Sequence, residues 1–420
     1  MKTVDNIEKS GALVVNSERL WATLMQHGEI GHTTKGGLNR LALTELDKQG
    51  RDLFIQWCEE AGCTVTIDEI GNIFARRSGI DDSLPPVMTG SHIDTQPTGG
   101  KFDGCFGVMA GLEAIRSLND LGIKTQAPIE LVVWTNEEGS RFPPCMMGSG
   151  VFTGKISLND ALETSDEQGI SVKEALLAIG YNGTKSHIGH EVRAYFEAHI
   201  EQGPILEDEK KQIGVVVGAL GQKWYDIDIV GVESHAGPTP MHLRKDASLA
   251  GADLIKYVNQ IALQYPPHGR GTVGCFEVFP SSRNVIPGQV KMTADLRHLD
   301  ANTLDKMAAQ LADKATQLQT LYGVTIKVTP TADFPPIDFD NQCITNIREA
   351  ASSLSYTNMD IVSGAGHDAI FLADVALAGM IFIPCENGIS HNELERASKQ
   401  DLAAGASVLL NVLLSSARNA

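Results

Sequence analysis

Apolar runs that stop abruptly at charged or imidazole side chains set the rhythm of the first half of the chain. Residues 67–75 predict one strand, and residues 85–91 lead a second into His92. Residues 106–118 carry the apolar spacing of a helix, and 129–134 (IELVVW) form a buried strand running into Glu137 and Glu138. His199 stands in a further strand-like, part-buried stretch from Phe196 to Glu201. Strand and helix in alternation predict an α/β fold, a mainly parallel mixed sheet flanked by helices. Ligands of such sheets gather beyond the carboxyl ends of the strands, where His92 and Glu138 fall.

The middle of the chain has another rhythm. In residues 223–230, Tyr225, Ile227 and Ile229 alternate with Asp226 and Asp228, the pattern of a half-buried strand. Residues 246–263 are helical, with Ala247, Ala250, Leu254, Val258 and Ile261 on one face. Strands at 272–279 and 289–298, a helix at 303–321 and a last strand at 323–328 follow. The order βαββαβ predicts a small ferredoxin-like sandwich, and Phe334-Pro335-Pro336 marks the return to the first sheet. The expected division is therefore 1–215, an inserted 216–332, and 333–420. A chain of 420 residues is too long for one ordinary core, which agrees with two domains.

Composition narrows the partners. With 42% hydrophobic and 20% charged residues the chain has the make-up of a soluble globular protein, and its formal charge of −18 argues against nucleic acid or an anionic membrane. No apolar stretch is long enough to cross a bilayer, and the polar, mixed-charge start at residues 1–9 carries no secretory signal. Seven scattered cysteines without a Cys-x-x-Cys pair fit reduced thiols in a cytoplasm. Cys105 and Cys145 adjoin the candidate site but read as small buried side chains.

Metal-binding residue types recur along the chain at His92-x-Asp94, Phe102-Asp103-Gly104, Glu137-Glu138, His199-Ile200-Glu201-Gln202-Gly203 and Ser390-His391-Asn392-Glu393. Two imidazoles and a carboxylate can hold one divalent ion, while a shared carboxylate, another acid and a third imidazole hold a second. A spare carboxylate beside such a pair can take a proton from the attacking water.

These motifs, with Asn136 to Phe142 (NEEGSRF) and Ser234-His235-Ala236-Gly237, resemble the amidase branch of the M20 metallopeptidase superfamily over nearly the whole chain. That branch comprises N-carbamoyl-L-amino-acid hydrolases, bacterial and yeast-type β-ureidopropionases, and allantoate amidohydrolases. Many peptidases of the superfamily carry an acid where His199 stands. The resemblance implies a dinuclear metallopeptidase-like catalytic domain with the insertion as a lid and dimerisation domain. It implies metal ligands His92, Asp103, Glu138, His199 and His391, with Asp103 bridging through a following cis peptide bond. Asp94 would orient His92 from behind, and Glu137 would be the general base. His235 would stabilise the transition state across a homodimer. Asn284 and Arg297, with Gln222 and Gly366, would line the substrate pocket, Arg297 taking the substrate carboxylate through two parallel hydrogen bonds. His298, His367 and Asp368 receive no direct role.

The function so implied is a cytoplasmic amidohydrolase holding two divalent ions per subunit, zinc first and manganese, cobalt or nickel as alternatives. It would open the ureido group of small-molecule N-carbamoyl amino acids, releasing amino acid, ammonia and carbon dioxide. Allantoate amidohydrolase is the alternative within the branch, although residues 145–154 look more like carbamoylases. An inactive binding protein on the same scaffold is the alternative of another class, and the intact ligand set with an intact base argues against it.

Overall fold

The computed structural model describes residues 12–418; the polar start at 1–9 lies outside them. The chain divides into two compact units, Met1–Val217 with Phe339–Ala420, and Gly218–Asp338.

The larger unit is built on a mixed sheet. Ile129–Trp134, Val87–His92, Ala194–Ile200 and Leu377–Ile383 are neighbours in that order and run parallel. Ile73–Arg77 joins antiparallel beside the first of them, followed by Thr64–Ile67, and Ile213–Ala219 joins antiparallel beside the last. Ile129–Trp134, Val87–His92 and Ala194–Ile200 are buried at every position, the burial expected of strands covered on both faces. The helices Cys105–Asp120 and Lys399–Arg418 pack against each other and both lie on this sheet.

Two expectations are corrected here. Residues 67–75 are not one strand: Thr64–Ile67 and Ile73–Arg77 form a hairpin. Its turn is pinned by Asp68, whose Oδ1 accepts from the amides of Ile70 (3.1 Å) and Asn72 (2.7 Å). The Asp103–Gly104 bond is trans, since the cis bonds among the described residues are Pro143–Pro144, Pro266–Pro267 and Phe279–Pro280.

The smaller unit has a five-stranded antiparallel sheet, Phe276–Phe279, Gln289–His298, Gly221–Val230 and Thr325–Phe334 in that order, with Arg270–Thr272 as the fifth strand beside Gln289–His298. Ile227 and Ile229 join Val290, Met292, Ala294 and Leu296 in one core with the helices Ala247–Leu263 and Ala301–Tyr322. This is the βαββαβ order with its second strand broken. The unit ends at Asp338 rather than 332 because the last strand runs on to Phe334 through an irregularity between Pro330 and Ala332. A proline is tolerated there because this strand lies on the sheet edge.

All seven cysteines are free. Among the described residues no helix is long and apolar enough to cross a membrane.

Candidate metal centre

The parallel strands deliver their last residues to one end of the sheet. His92 closes Val87–His92, in register with Trp134, and His199 is the penultimate residue of Ala194–Ile200. Glu137 and Glu138 follow Trp134 through a turn that holds Asn136 at φ +56°. Asp103 sits just before the 16-residue helix Cys105–Asp120, whose amino end favours a negative charge. Gly104 joins the two at φ +62°, and a Cβ there would lie 2.3 Å from His92 Nε2, so only glycine fits. Gln202 and His391 also adopt positive φ, +56° and +53°. Strained backbone of this kind persists where surrounding contacts hold it, commonly at functional sites.

Around Asp103 the five expected donors come together. Its Oδ1 lies 3.2 Å from His199 Nε2 and 3.7 Å from His92 Nε2; its Oδ2 lies 3.4 Å from His391 Nε2. Glu138 Oε2 is 3.4 Å from the same His391 nitrogen. The donors thus form two groups, His92–Asp103–His199 and Asp103–Glu138–His391, that share one carboxylate. Ligands about 2.1 Å from a tetrahedral ion stand about 3.4 Å from one another, so the observed separations fit divalent ions. Charge points the same way: the ion pairs of Asp103, Glu137 and Glu138 among the described residues are all with histidines, none with Lys or Arg.

The imidazoles are presented in the ligand form. His92 Nδ1 is 2.9 Å from the carbonyl oxygen of Asp94, and His199 Nδ1 is 2.9 Å from that of Ile200. A carbonyl only accepts, so each Nδ1 carries a proton and in the neutral ring Nε2 keeps the lone pair; at His199 that nitrogen accepts from the Gly104 amide at 3.1 Å. Asp94 therefore orients His92 through its backbone, not through its carboxylate, which stands 3.8 Å away. That carboxylate instead accepts from the amides of Glu137 (3.2 Å) and Glu138 (3.3 Å), fixing the turn that carries both acids.

Burial lowers the His92 pKa to about 4, although Asp103 opposes the shift. His199 also resists charge by burial, but the hydrogen bond and charge of Asp103 raise it to about 9. Asp103 itself, despite burial, is held far below the usual carboxylate range by the three imidazoles. Glu137 is pushed well above that range by burial, then by Asp368 and Glu138. Burial likewise raises Glu138, with Asp103 and Asp94 adding to it. Glu137 Oε2 lies 3.4 Å from His92 Nε2, beside the donors but outside both groups.

Several site residues were not assigned from the sequence. Gln96 Nε2 donates to Glu138 Oε2 at 2.6 Å, and Gln202 Nε2 donates to Asp103 Oδ2 at 2.9 Å. Glu395 accepts from the Asp103 amide. His367, passed over beside Gly366, packs edge-on against His199 with ring centroids 4.5 Å apart. Glu197, His199 and His367 form a third donor group. The Glu197 oxygens are already engaged by Ser91, Tyr195 and the Ala369 amide, the role of a buried support. The His199-Ile200-Glu201-Gln202-Gly203 motif contained the signal for Gln202; for Gln96 and His367 there was only adjacency to assigned residues.

The other expected residues belong to the smaller unit, apart from Gly366, a partly exposed loop residue facing Met146. Gln222 and Arg297 are direct cross-strand partners on the sheet face away from the helices. Gln222 Oε1 is buried without a hydrogen-bond partner. Asp295 holds the Arg297 guanidinium by Nε (3.0 Å) and Nη2 (2.7 Å). His235 pairs with Val285 in a second, two-stranded sheet, and the Ala236 amide donates to the Asn284 carbonyl at 2.9 Å. His235 Nδ1 accepts from the Gly237 amide at 3.1 Å, which leaves the proton of the neutral ring on Nε2 as a donor.

Divalent ions held by these donor groups would stabilise the folded chain over the unfolded one, so removing them is expected to lower Tm. At a free-ion concentration one hundred times Kd, each independent site contributes about 2.7 kcal/mol. Thermal unfolding after chelation and again after zinc is restored measures the difference; identical melting would mean that these donors hold no ion.

Residues 88–415 match the peptidase family M20/M25/M40. An N-carbamoyl-L-amino-acid amidohydrolase of Rhizobium meliloti is 46% identical, over 96% of this chain and 97% of its own. A second enzyme of that name, from Pseudomonas sp. (strain NS671), is 37% identical over 96% and 99%. The crystal structure of an amidase of the hydantoinase/carbamoylase family from Burkholderia multivorans matches with a TM-score of 0.94 at 52% identity, over 96% of this chain and 98% of that one. On the sequence match, the near full-length relatives and the shared fold, the chain belongs to the peptidase family M20/M25/M40, in its hydantoinase/carbamoylase amidase branch.

Proposed function

We propose that the protein is an amidohydrolase of carbon–nitrogen bonds other than peptide bonds, dependent on two divalent ions, whose substrates are N-carbamoyl-L-amino acids. The observation that carries this reading is Asp103, which offers one oxygen to each of two donor groups beside an unused acid, Glu137. The names of the two relatives supply the substrate class.

Two divalent ions, when bound by His92, Asp103, His199, Glu138 and His391, supply Lewis acidity toward the carbamoyl oxygen and ease deprotonation of water. Histidine and carboxylate donors suit zinc, and also manganese, cobalt or nickel. Glu137 takes a proton from the attacking water as its oxygen adds to the carbamoyl carbon. Burial, then Asp368 and Glu138, raise the Glu137 carboxyl above the usual range, which makes its carboxylate the stronger proton acceptor. His235 Nε2–H donates to the developing oxyanion. Glu137 then passes the proton to the leaving nitrogen as the carbon–nitrogen bond breaks, freeing the amino acid and carbamate, which decays to ammonia and carbon dioxide. Arg297, with its plane set by Asp295, clamps the substrate carboxylate, and Gln222, Asn284 and Gly366 complete the pocket. The smaller unit serves as lid and dimer contact, lending His235 to a partner subunit, and the seven free cysteines suit a cytoplasmic setting. A fully active monomer in sedimentation would remove the shared-site part of this reading.

Ammonia release from N-carbamoyl-L-α-amino acids, N-carbamoyl-β-alanine and allantoate tests the substrate class. The first group is expected to give the highest kcat/KM; preference for allantoate would replace the reading, and no turnover with two ions bound would favour a binding protein.

Arg297→Lys should cost at least about tenfold in kcat/KM although the charge remains, because an ammonium cannot supply the planar fork. Truncating a closed-site charge pair costs about 2–5 kcal/mol. The carboxamides of the substrates should be poor substrates for the unmutated enzyme; equal turnover of acid and carboxamide would mean that Arg297 has another task.

A further inference from the structure

Glu395 is 5% exposed and lies four residues beyond His391, yet its carboxylate is spent on a segment nearly three hundred residues away. Oε1 accepts from the amides of Phe102 (2.9 Å) and Asp103 (3.1 Å). Oε2 lies 3.1 Å from Ser390 Oγ, which is also 2.8 Å from Asp103 Oδ2 and shares its one proton between the two acids. Space is reserved for this contact, because a Cβ at Gly100 would fall 2.0 Å from the Glu395 carboxylate.

We propose that Glu395 is a positioning residue that ties the Asp103 turn to the His391 loop and so sets the affinity of both ion sites together. This rests on the reading of Asp103 as the shared ligand. Glu395 grips the peptide of Asp103, not one of its carboxylate oxygens. Releasing that peptide moves Oδ1 away from His92 and His199 and Oδ2 away from His391 in a single displacement. Of the two Asp103 oxygens Ser390 touches only Oδ2, so its loss acts on the second group and spares the first. The two residues lie on either side of His391, at 390 and 395, yet they differ in how many sites they reach.

The test is a titration of chelator-stripped protein with zinc against a chromophoric competitor, which resolves two affinities. Loss of an outer partner of a metal ligand weakens binding by about 10- to 100-fold. Glu395→Ala is expected to show that loss at both sites, while Ser390→Ala shows it at one. Glu395→Gln keeps the shape: its amide oxygen can accept both backbone N–H groups while its NH2 faces Ser390 Oγ, and it should restore wild-type affinity at both sites. Thermal unfolding of the stripped proteins reports whether each variant folds. If Glu395→Ala does not, Glu395→Asp carries the same expectation, because it draws the carboxylate back by one methylene. A folded Glu395→Ala or Glu395→Asp that binds both ions with wild-type affinity, while Asp103→Asn binds neither, overturns the proposal. If Asp103→Asn also keeps both ions, the reading of the shared ligand fails instead.

Discussion

Glutamine at position 137 should leave both ions in place and remove nearly all turnover. The substitution preserves the volume of a buried side chain and the amide that donates to Asp94. It replaces a carboxylate that can accept the water proton with an amide that cannot. Glu137 belongs to neither donor group, so ion content should stay at two per subunit. A positioned general base contributes about 10²- to 10⁴-fold, and kcat should fall by that factor with KM little changed. Elemental analysis beside steady-state kinetics separates the outcomes. If Glu137→Gln strips ions while Glu138→Gln does not, the assignments of base and ligand are the wrong way round.

Asp103→Asn should be the most damaging single-atom change to the centre. An amide keeps one oxygen for one group and turns an NH2 donor toward the other, where it meets an imidazole lone pair or another donor. Both groups use Asp103, so both ions should be weakened, each by more than the roughly 100-fold upper range seen for outer partners. Activity should drop below about a thousandth, which combines lost ions with lost geometry. Glu138→Gln reaches one group only and should lose one ion. Equal losses for the two variants would mean that Asp103 is not shared.

Much of this was legible in the sequence, for a physical reason. A parallel strand covered on both faces is an uninterrupted apolar run, and the polar residues just past its end have few structural duties, so Glu137, Glu138 and His92 stood out. The inserted sandwich was legible from alternation, as Tyr225, Ile227 and Ile229 face the helices and Asp226 and Asp228 face away. What failed were interruptions decided by tertiary contacts. Residues 272–279 split because Cys275 pairs with the side chain and amide of Thr293 instead of continuing the ladder. The strand through Pro330 outran its expected end because an edge position excuses the missing amide. Asp94 was expected behind His92, but spacing alone could not say which of its atoms faces the ring, and it is the carbonyl oxygen. Glu395 left no local signal, because its partners at Phe102 and Asp103 are brought to it only by the finished fold.

The strand Leu377–Ile383 lies inside the sheet, between Ala194–Ile200 and Ile213–Ala219, although it is made after nearly nine-tenths of the chain. During synthesis the earlier strands must wait with a slot open between them, their inner edges unpaired and prone to accept a foreign strand. The late segment that fills the slot leads directly to His391 and Glu395. A nascent chain short of that segment has His92, Asp103 and His199 but neither His391 nor the Glu395 grip on the Asp103 peptide, so both donor groups are complete only once it is made. Chaperone dependence should be greatest in that interval, and ion supply should matter only after it.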